Sequence, residues 1–501
     1  MKCQPGELEL ADGRCQPAGV PPEMCGEGFE PDGKMGCNAI LPAEACPFGL
    51  MAVPGETECR EVAPCGEGKW GDIPVDETTQ FVDGAYAGND SDGTKERPWK
   101  TIQEGIDAAD PGAVVAVAEG TYYENLLIKD RSVQLWGVCP KKVTVTGTGN
   151  AASIIIDNSD SAQVNNVAIT GQSTGIDIRE TDDVVIRGVW IHDTHREGLH
   201  VPPKLPKPAS IQLSRSLIEK VHGTGLLTFG ALTTATEIAV RDVQPTQFDA
   251  RGINVIDSMK SMLRGGLTLR RSLIERFPGI GVHIQGSDAS VESSVVRDCQ
   301  RGGILADVNI NTKERAALTM SQAVLAHNSY FGIRVSNSYA AIDTTMVLGT
   351  RLNHLQRATG VVLEYQNGRS DANIAASVID GSEKAGMEVA GSTAELKGTI
   401  IRNTRLPYPS VHSIGMAIYE VVHGKKVERS QVNMRGSIFE DNEYTGVQLT
   451  ASSLVLDETI ISNQQGYGLY MMAGTKMGST IADTHVQASL FENNGGMGSM
   501  R

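Results

Sequence analysis

Residues 273–284, LIERFPGIGVHI, contain the unit that decides the fold of this chain. The unit is an apolar pair, a short polar turn, and a glycine followed by an apolar residue, one free position and a second apolar residue. The complete glycine phrase occurs as GIDI at Gly175, GLHV at Gly198, GINV at Gly252, GVHI at Gly281, GIRV at Gly332, GMEV at Gly386, GMAI at Gly415 and GVQL at Gly446. Weaker copies fill the gaps at Gly225, Gly303, Gly360 and Gly468, so successive glycines lie 22 to 31 positions apart. Such a period is typical of a repeat protein.

Each repeat has the pattern of a few short strands joined by turns. Its phrases alternate apolar and polar residues at period two, and turn-forming residues precede the glycine. No segment inside a repeat has a helical stripe of useful length, and leucine does not recur at the fixed spacing of a leucine-rich horseshoe. The sequence therefore predicts an all-β fold, a right-handed parallel β-helix solenoid of about twelve coils with strands about 4.8 Å apart.

A second column of residues precedes the glycines at the preceding turn. It contains Thr194, Phe277, Cys299, Asn328, Ser382, Thr404, Asn442 and Gln464. We expect these side chains to point inward and to form a ladder in which neighbouring coils satisfy one another's polar groups. Residues inserted between repeats, such as 259–264, 312–315 and 424–429, are expected to bulge as loops from a constant core.

Composition limits the function classes. The chain has 501 residues and a net charge of -16, and it has no basic run, which disfavours a nucleic-acid partner. No apolar run approaches the roughly 20 residues of a membrane span, and Met1 does not open a signal peptide. We expect a monomer with no transmembrane segment.

Residues 1–75 form a separate, cysteine-rich segment that contains seven of the nine cysteines. Three pairs enclose short loops with turn residues: Cys3 with Cys15, Cys25 with Cys37, and Cys46 with Cys59. The segment lacks the close cysteine pairs and the histidines of a zinc site, so disulfides are favoured over metal. Cys65 is left over, with Cys139 as a possible partner, and Cys299 would stay a free, buried thiol.

Disulfides indicate an oxidising compartment, so we expect an extracellular, cell-surface or periplasmic protein. The missing signal peptide conflicts with that expectation. The chain also stops after Phe491, where a further coil would begin. Both observations favour a piece of a longer exported protein, cut at both ends.

Residues 78–150 have the pattern of an N-terminal cap and the first coils, and 151–501 that of the β-helix itself. An amphipathic helix is predicted near Trp99 to Ala109, followed by a D-P-G stop and a strand at Val114 to Val117. A helix at this place would cover the open end of the first coil, whose backbone would otherwise be unpaired.

The stretch TKERPWKTIQEGIDAADPGAVVAVAEGTYYENLLI, residues 94–128, resembles the start of pectin-lyase-like right-handed β-helix proteins, pectinesterases included. With the glycine phrases, the resemblance covers roughly residues 80 to 501. It implies the β-helix fold and relatives that are often secreted and act on, or bind, polysaccharides. The catalytic phrases of pectinesterases and polygalacturonases are absent, and VWIHDTHREGLH at 189–200 has His and Asp exchanged relative to the W-I-D-H phrase of pectate lyases. No catalytic motif is intact, and fold alone does not give activity.

Candidate site residues follow from register. The free position of the glycine phrase places Asp177, His200, Leu227, Asn254, His283, Leu305 and Arg334 in one outward column. Asp177 and His200 would be one coil apart, so that the carboxylate could orient the imidazole as a general base. Candidate catalytic residues are Asp177, His200, His283, Asp193 and His195, and candidate substrate-binding residues are Arg179, Asn254 and Arg334. The competing interpretation is that outward positions are polar because they are solvated.

The sequence indicates no cofactor, although calcium is possible. Asn89 to Gly93 resembles part of a calcium loop, but Gly88 and Trp99 occupy positions where such a loop needs acids, which favours a solvated turn. We favour a non-catalytic exported or cell-surface protein that binds glycans or proteins through its solenoid faces, with the cysteine-rich segment as a stalk. The alternative is a polysaccharide lyase, glycoside hydrolase or epimerase with a groove near coils 175–283.

Overall fold

The computed structural model describes residues 7–9, 13, 15–247, 250–259, 262–407, 413–424, 426–474 and 483–499. Over these residues the chain winds into a right-handed parallel β-helix with three long parallel sheets of 16, 15 and 15 strands. The predicted fold class is confirmed. The stack is longer than the predicted twelve coils because the first coils, such as the one containing Leu126–Lys129, lack the glycine phrase.

Each coil contributes one strand to each sheet, in the order first, second, third. The first sheet contains Gln80–Val82, Val114–Val117, Gln134–Gly137, Gln163–Asn165, Val184–Arg187, Ser210–Ser214, Leu232–Thr236, Gly266–Arg270, Asp288–Glu292, Ala317–Ser321, Tyr339–Asp343, Asp371–Ala375, Thr393–Lys397, Gln431–Arg435, Ser453–Asp457 and Asp483–Gln487. The second sheet contains Gly120–Tyr122, Val143–Gly147, Ala168–Gly171, Trp190–Thr194, Leu217–Glu219, Ala239–Arg241, Leu273–Phe277, Val295–Cys299, Val324–Ala326, Met346–Leu348, Val378–Asp380, Ile400–Arg402, Ile438–Glu440, Ile460–Ser462 and Leu490–Glu492. The third sheet contains Leu126–Lys129, Ile154–Asp157, Ile176–Arg179, Leu199–Val201, Thr224–Phe229, Arg251–Ile256, Ile280–Gln285, Gly302–Asp307, Tyr330–Ser336, Ala358–Glu364, Ala385–Ala390, Ile414–Tyr419, Thr445–Thr450, Tyr467–Met472 and Gly496–Ser499.

The core is a set of apolar stacks that run parallel to the axis. Side chains alternate between the two faces of a strand, so every second residue of each phrase points inward. In the first sheet, Leu213, Ala235, Leu269 and Val291 occupy one such stack on successive coils, and all four are buried. The period-two pattern of the sequence thus becomes one continuous hydrophobic core.

The turn before the third sheet holds the predicted inward ladder. The backbone N–H of Cys299 donates to Asn328 Oδ1 at 3.0 Å, and Asn328 Nδ2 donates to the Val296 carbonyl at 2.9 Å. Thr404 N–H donates in the same way to Asn442 Oδ1 at 3.2 Å. These side chains are buried and hold adjacent coils together, which explains the column structurally.

A hydroxyl ladder that we did not predict lies at the turn between the first and second sheets. Ser272 N–H donates to Ser294 Oγ at 3.1 Å, and Thr345 N–H donates to Ser377 Oγ at 3.1 Å on later coils. Each hydroxyl satisfies a backbone donor that the turn would otherwise leave unpaired.

The cap helix spans Ile102–Ala108 and starts with a capping box between Thr101 and Glu104. Its buried face includes Ile102 and Ile106, which belong to the solenoid core. Beside it, the strand Val114–Val117 has the predicted bounds. The short strand Gln80–Val82 pairs with it at the end of the first sheet.

The cysteine-rich segment folds into small antiparallel hairpins: Glu7–Glu9 with Cys15–Pro17, Phe29–Pro31 with Cys37–Ala39, and Leu50–Met51 with Arg60–Glu61. A 3-10 turn at Pro22–Met24 precedes the second hairpin. Disulfides join Cys25 to Cys37, Cys46 to Cys59 and Cys65 to Cys139, as predicted. Cys299 is a free, buried thiol, also as predicted. The pairing predicted for Cys3 lies outside the described residues.

The segment does not project as the stalk that we predicted. From residue 15 to residue 65 it lies along the outer face of the second sheet and runs antiparallel to the direction of winding. Near its start, Gly19 N–H donates to the Gly398 carbonyl at 2.8 Å. Later in the segment, Gly49 N–H donates to Glu219 Oε1 at 2.8 Å, on a coil much nearer the N-terminal cap. We call residues 15–65 the strap.

The strap is held by a buried ion pair and by an apolar stripe. Arg241 and Glu219 have side chains 2% and 1% exposed and approach to 2.7 Å. The Arg241 guanidinium also donates to the carbonyls of Cys46, Pro47 and Leu50 at 3.0, 2.9 and 2.7 Å. Along the stripe, the second-sheet residues under the strap include Leu273, Val295, Val324, Met346, Val378 and Ile400.

The stripe has a sequence signal that we did not use. Adjacent residues of a strand face opposite sides of the sheet, so an apolar pair such as Leu273 and Ile274 places one side chain in the core and one outside. Ile274 belongs to the solenoid core and Leu273 to the cluster under the strap. A pair repeated on coil after coil therefore indicates a sheet that is covered on both faces.

A search of the described residues finds no helix with the length and apolarity of a membrane span.

Candidate functional site

The free positions of the glycine phrase form one outward column on the third sheet, in the register that the sequence predicts. Asp177 pairs with His200, His200 with Leu227, and Leu227 with Asn254. The column continues through His283, Leu305 and Arg334. The candidate residues therefore share one face of the solenoid, although they are spread along it.

Loops border this face at both edges. At the trailing edge, where the strands of the third sheet end, long loops span 202–209, 257–265, 308–316, 365–370 and 420–430. At the leading edge, where the strands begin, long connections span 242–250, 349–357 and 403–413. The face between the two rows of loops is a groove, whereas the second sheet lies under the strap.

The groove contains a tightly bonded carboxylate and imidazole at Asp177 and His200. His200 Nδ1 lies 3.0 Å from Asp177 Oδ1, and Arg179 Nε donates to Asp177 Oδ2 at 2.7 Å. The Asp177 side chain is 9% exposed and the His200 side chain 28%. Because Nδ1 faces the carboxylate, Nε2 is the imidazole nitrogen left to meet a ligand, which is the arrangement of a general base or of a hydrogen-bond donor.

The pKa of Asp177 is lowered although the group is buried. Burial alone raises the pKa of this carboxyl, and the hydrogen bonds and positive charges of His200 and Arg179 outweigh that effect. Since the folded pKa lies below the unfolded value, the ionised carboxylate stabilises the fold above about pH 4, and this contribution is lost as the pH falls through the folded pKa.

We expect Arg179→Gln or His200→Gln to raise the pKa of Asp177, because each change removes a lowering interaction and leaves the burial. Carboxyl ¹³C titration of aspartate-labelled protein measures the shift. Arg270→Gln, which removes an exposed guanidinium 3.0 Å from Glu292 on the first sheet, is the matched control and should leave Asp177 unchanged. If the pKa of Asp177 is the same in Arg179→Gln, His200→Gln and the Arg270→Gln control, this account of the pair is contradicted.

An apolar cavity of about 490 Å³ adjoins His200. Its walls include Phe229, Ile256 and Met259, together with Pro202 and Pro203 from the first trailing loop. The Phe229 ring stands edge-on to the His200 imidazole, with centroids 6.0 Å apart. An apolar wall with a polar group at its rim suits a ligand that has one flat apolar face and one hydroxylated edge.

His283 belongs to a second histidine–carboxylate pair and not to the first. It lies three coils beyond His200, about 14 Å along the axis, and its Nε2 lies 3.0 Å from Asp307 Oδ1. Asn254 and His283 are 3% and 4% exposed, and Asn254 Oδ1 and His283 Nδ1 have no hydrogen-bond partner among the described residues. Asp177, His200 and His283 thus do not converge on one point.

Asp193 and His195 lie outside the Asp177 cluster. Asp193 lies near the end of the second-sheet strand Trp190–Thr194 and His195 in the turn that follows it, and both are exposed. Asp193 Oδ2 lies 2.9 Å from His192 Nδ1, and the His192 ring stacks on Trp190, beside the strap residue Phe48. His195 is near His222, with ring centroids 5.9 Å apart. Asp193 and His195 therefore contact other residues than Asp177 and His200, with which the sequence grouped them as catalytic candidates.

A second cavity, of about 370 Å³, lies further along the same groove. Arg334, the last predicted substrate-binding residue, is at its edge and donates to both Glu364 oxygens at 2.6 and 2.7 Å and to Tyr330 Oη at 2.9 Å. Its charge is therefore already paired. The side chains of Lys384 and Glu388 also line the cavity, and neither has an ion-pair or hydrogen-bond partner among the described residues.

Tyr419 closes the second cavity from the trailing side. Burial raises the pKa of its phenol, and the nearby Glu388 and Glu364 carboxylates raise it further. The hydroxyl therefore stays protonated across the neutral range and remains a hydrogen-bond donor. Tyr365, also in the lining, adds a second ring to this wall.

The sequence did not predict the second cavity, for two reasons. Extending the count of free positions beyond Arg334 leads to Val362 and Glu388, and the structure pairs them in that order. Glu388 was thus available from the GMEV phrase. Lys384, Tyr365 and Tyr419 lie outside the counted column and carry no motif, so only the structure brings them together.

Metal ligands do not converge in the described part of the chain. It contains no group of three or more His, Cys, Asp or Glu side chains arranged to hold an ion. In the turn at 89–93, Asp90 accepts a hydrogen bond from Tyr86 Oη at 2.7 Å, and Asp92 accepts one from Thr94 Oγ1 at 2.7 Å. Asp92 also forms an ion pair with Arg97. These contacts are those of a local turn.

Several solved structures are similar to this chain at low sequence identity. The A-module of mannuronan C-5 epimerase from Azotobacter vinelandii is 13% identical, with a TM-score of 0.34, over 78% of this chain and 94% of the module. The catalytic unit of a GH87 α-1,3-glucanase from Streptomyces thermodiastaticus strain HF3-3 is 12% identical, with a TM-score of 0.41, over 86% of this chain and 71% of that unit. A periplasmic alginate epimerase is 9% identical, with a TM-score of 0.41, over 75% and 78%.

No curated protein sequence matches the chain. The sequence model for the right handed beta helix region matches residues 141–344 and 350–500, which is well over half of the chain. That match agrees with the three stacked parallel sheets, with the inward ladder at the turn and with the glycine phrase that opens the third-sheet strands. The chain belongs to the right-handed β-helix family.

Proposed function

We propose that this protein binds an extended glycan in the groove on the outer face of the third sheet. The observation that carries the proposal is that two separate cavities, at His200 and at Glu388, open on the same face between two rows of loops. A linear polymer can contact both cavities at once, whereas a small ligand would occupy only one.

The lining of each cavity suits sugar chemistry. The first offers an aromatic ring, Phe229, beside the His200 imidazole. The second offers Tyr419 and Tyr365 beside Lys384 and Glu388, which have no ion-pair or hydrogen-bond partner in the described part of the chain. Sugars are recognised by stacking of their apolar face on rings and by hydrogen bonds from charged groups to their hydroxyls. The 5% aromatic content of the chain is low, but several of its rings lie in this groove.

An exported location supports the proposal. Three disulfides are stable in an oxidising compartment and rare in a reducing cytosol. We infer an extracellular, cell-surface or periplasmic protein, which is where structural polysaccharides are found.

An enzymatic function is the second candidate, and the Asp177 and His200 pair favours it. A carboxylate that orients an imidazole is suited to proton abstraction, as in a polysaccharide lyase or epimerase. Such chemistry also needs a proton donor or a charge-stabilising group near the same carbon. Among the predicted residues, His283 is about 14 Å away along the axis, and Arg179 already bonds Asp177. We therefore favour binding.

The test is binding of the purified chain to an array of linear neutral and acidic polysaccharides, followed by titration of the best ligand. We expect Phe229→Ala and Glu388→Gln each to weaken binding by about tenfold or more, because each removes a stacking contact or a charged hydrogen bond. Thr268→Ala, on the outer face of the first sheet, is the control and should bind like the unmodified chain.

Two results would overturn the proposal. One is the absence of binding to every polysaccharide tested. The other is binding that Phe229→Ala and Glu388→Gln leave unchanged, which would locate the ligand elsewhere. Chain cleavage, or exchange of a sugar-ring proton with solvent, that is lost in His200→Ala would instead establish the enzymatic alternative.

A further inference from the structure

We propose that the trailing loops form a docking edge for the surface of an anionic lipid bilayer. The proposal rests on the side chains that these loops expose at their tips. Their tips expose large aliphatic side chains, their lysines lie beside those side chains, and three of their arginines are turned back to hold the loops to the solenoid.

Five of the exposed aliphatic side chains lie on the trailing loops, whereas others, such as Leu355 in the leading connection 349–357, lie elsewhere. Leu205, Met259, Met262 and Ile310 are 57%, 58%, 69% and 63% exposed and come from three trailing loops. Val422, 40% exposed, lies in the hairpin Val421–His423 with Lys426–Glu428 on a fourth. Exposure of a single apolar residue is ordinary, but a repeated position at the tips of separate loops indicates an interaction surface.

The loops also differ in charge from the rest of the chain. The five trailing loops together carry a net charge of +6, with histidine neutral, whereas the whole chain carries -16. Lys207 and Lys426 have side chains 67% exposed. Lys207 pairs with Asp182 at 2.6 Å and Lys426 with Glu428 at 2.6 Å; the two carboxylates are only 17% and 11% exposed, whereas both ammonium groups face solvent.

Three arginines of the same loops are anchors. Arg264 approaches Asp288 at 2.7 Å, Arg315 approaches Asp371 at 2.8 Å, and Arg369 approaches Glu428 at 3.1 Å. The Arg315 guanidinium also lies over the Tyr339 ring, 3.5 Å from its centroid. The bases of the loops are therefore fixed to the solenoid, and their aliphatic residues and lysines are presented outward.

This composition favours a bilayer over a protein partner. The centres of protein interfaces are enriched in aromatic residues, methionine and arginine and depleted in lysine. Here the tips carry Leu, Met, Ile and Val beside lysine, which suits burial of the apolar part at the boundary between headgroups and acyl chains while the ammonium reaches the phosphates. From the coil of Leu205 to that of Val422 there are eight coil steps, about 40 Å, so the contacts form a row along one edge.

The test is partition of the full chain onto sedimented vesicles, either of phosphatidylcholine alone or with about one-quarter phosphatidylglycerol. We expect binding to the anionic vesicles that weakens in high salt. We expect the aliphatic variant Leu205→Ser, Met262→Ser, Ile310→Ser to bind at least about tenfold more weakly, because the apolar insertion is lost. The triple variant Lys207→Gln, Lys313→Gln, Lys426→Gln should lose a similar factor through charge alone.

The control is the variant Tyr123→Ser, Leu232→Ser, which replaces two exposed apolar residues outside the trailing loops. Their native side chains are 73% and 50% exposed. It should bind vesicles like the unmodified chain. Failure of the unmodified chain to bind anionic vesicles would overturn the proposal, and so would equal binding by the aliphatic variant. Glycan titration of the same variants is independent, because none of the substituted residues lines either cavity of the groove.

Discussion

Replacing Arg241 by alanine is expected to destabilise the folded chain by about 3–5 kcal/mol, because it leaves the buried Glu219 carboxylate without its partner. The change also removes the donor to the carbonyls of Cys46, Pro47 and Leu50. Guanidinium denaturation followed by tryptophan fluorescence measures the loss. Trp190 donates to Glu219 Oε1 at 2.8 Å and contacts the strap residue Phe48, so its emission reports directly on this region.

The matched control is Arg270→Ala, which removes an ion pair to Glu292 whose side chains are 53% and 36% exposed. Its cost should not exceed about 1 kcal/mol, as is usual for a surface pair. A double variant that replaces both Glu219 and Arg241 by apolar residues should cost much less than Arg241→Ala alone, because no buried charge is left. Equal losses for Arg241→Ala and Arg270→Ala would contradict the role assigned to the buried pair.

The second large effect is expected from removal of the disulfide between Cys65 and Cys139. Its sequence separation of 74 is the longest among the described disulfides. In the chain-entropy account, a loop of this length contributes about 4 kcal/mol by restricting the unfolded chain. Cys65→Ala with Cys139→Ala should lower the free energy of unfolding by about this amount in chemical denaturation.

The comparison variant removes the disulfide between Cys46 and Cys59, with a separation of 13. It should cost about 3 kcal/mol by the same reasoning. Limited proteolysis should distinguish the two variants, because loss of Cys65 to Cys139 frees one end of the strap, whereas loss of Cys46 to Cys59 opens a single hairpin within it. A smaller loss for the longer loop would contradict the chain-entropy account for this protein.

The fold was predictable because its repeat acts at every level of the structure. The glycine phrase fixes the coil length, the period-two alternation defines inside and outside, and the turn column places Asn328 and Asn442 where adjacent coils need donors and acceptors. Even the register of the outward column was predictable, since Asp177 and His200 are each two positions beyond a glycine of the phrase. All of these follow from spacing along the chain.

The strap was not predicted because it depends on a contact between distant parts of the chain. The cysteine spacing predicts local loops but gives no information about the surface on which they lie. The signal was instead in the second sheet, where pairs such as Val378 and Ile379 are apolar on both faces. Adjacent side chains of one strand cannot both point into the same interior, so such a pair indicates that the outer face of the sheet is also covered.

The candidate site was only partly predictable, for a similar reason. Register brings Asp177 to His200 because they are neighbours in one column. The second cavity combines that column with Lys384 from the leading edge and Tyr365 from a trailing loop, and loop positions do not follow from the repeat. For His195 the error was different. Its proximity in sequence to His200 predicted a shared site, but His195 lies in the turn after the second sheet, whereas His200 lies on a strand of the third sheet.

The strap also has a consequence for biosynthesis. Its first residues emerge from the ribosome long before the coil around Gly398, against which Gly19 packs, has been made. Until then the apolar side chains of the strap beside Gly19, such as Ala18 and Val20, lack the coils against which they pack. The bond from Cys65 to Cys139 anchors the strap at one of the earliest coils, so docking can proceed from that anchor toward Gly19 as each new turn is wound. Packing of the strap is therefore complete only when synthesis has passed the coil around Gly398.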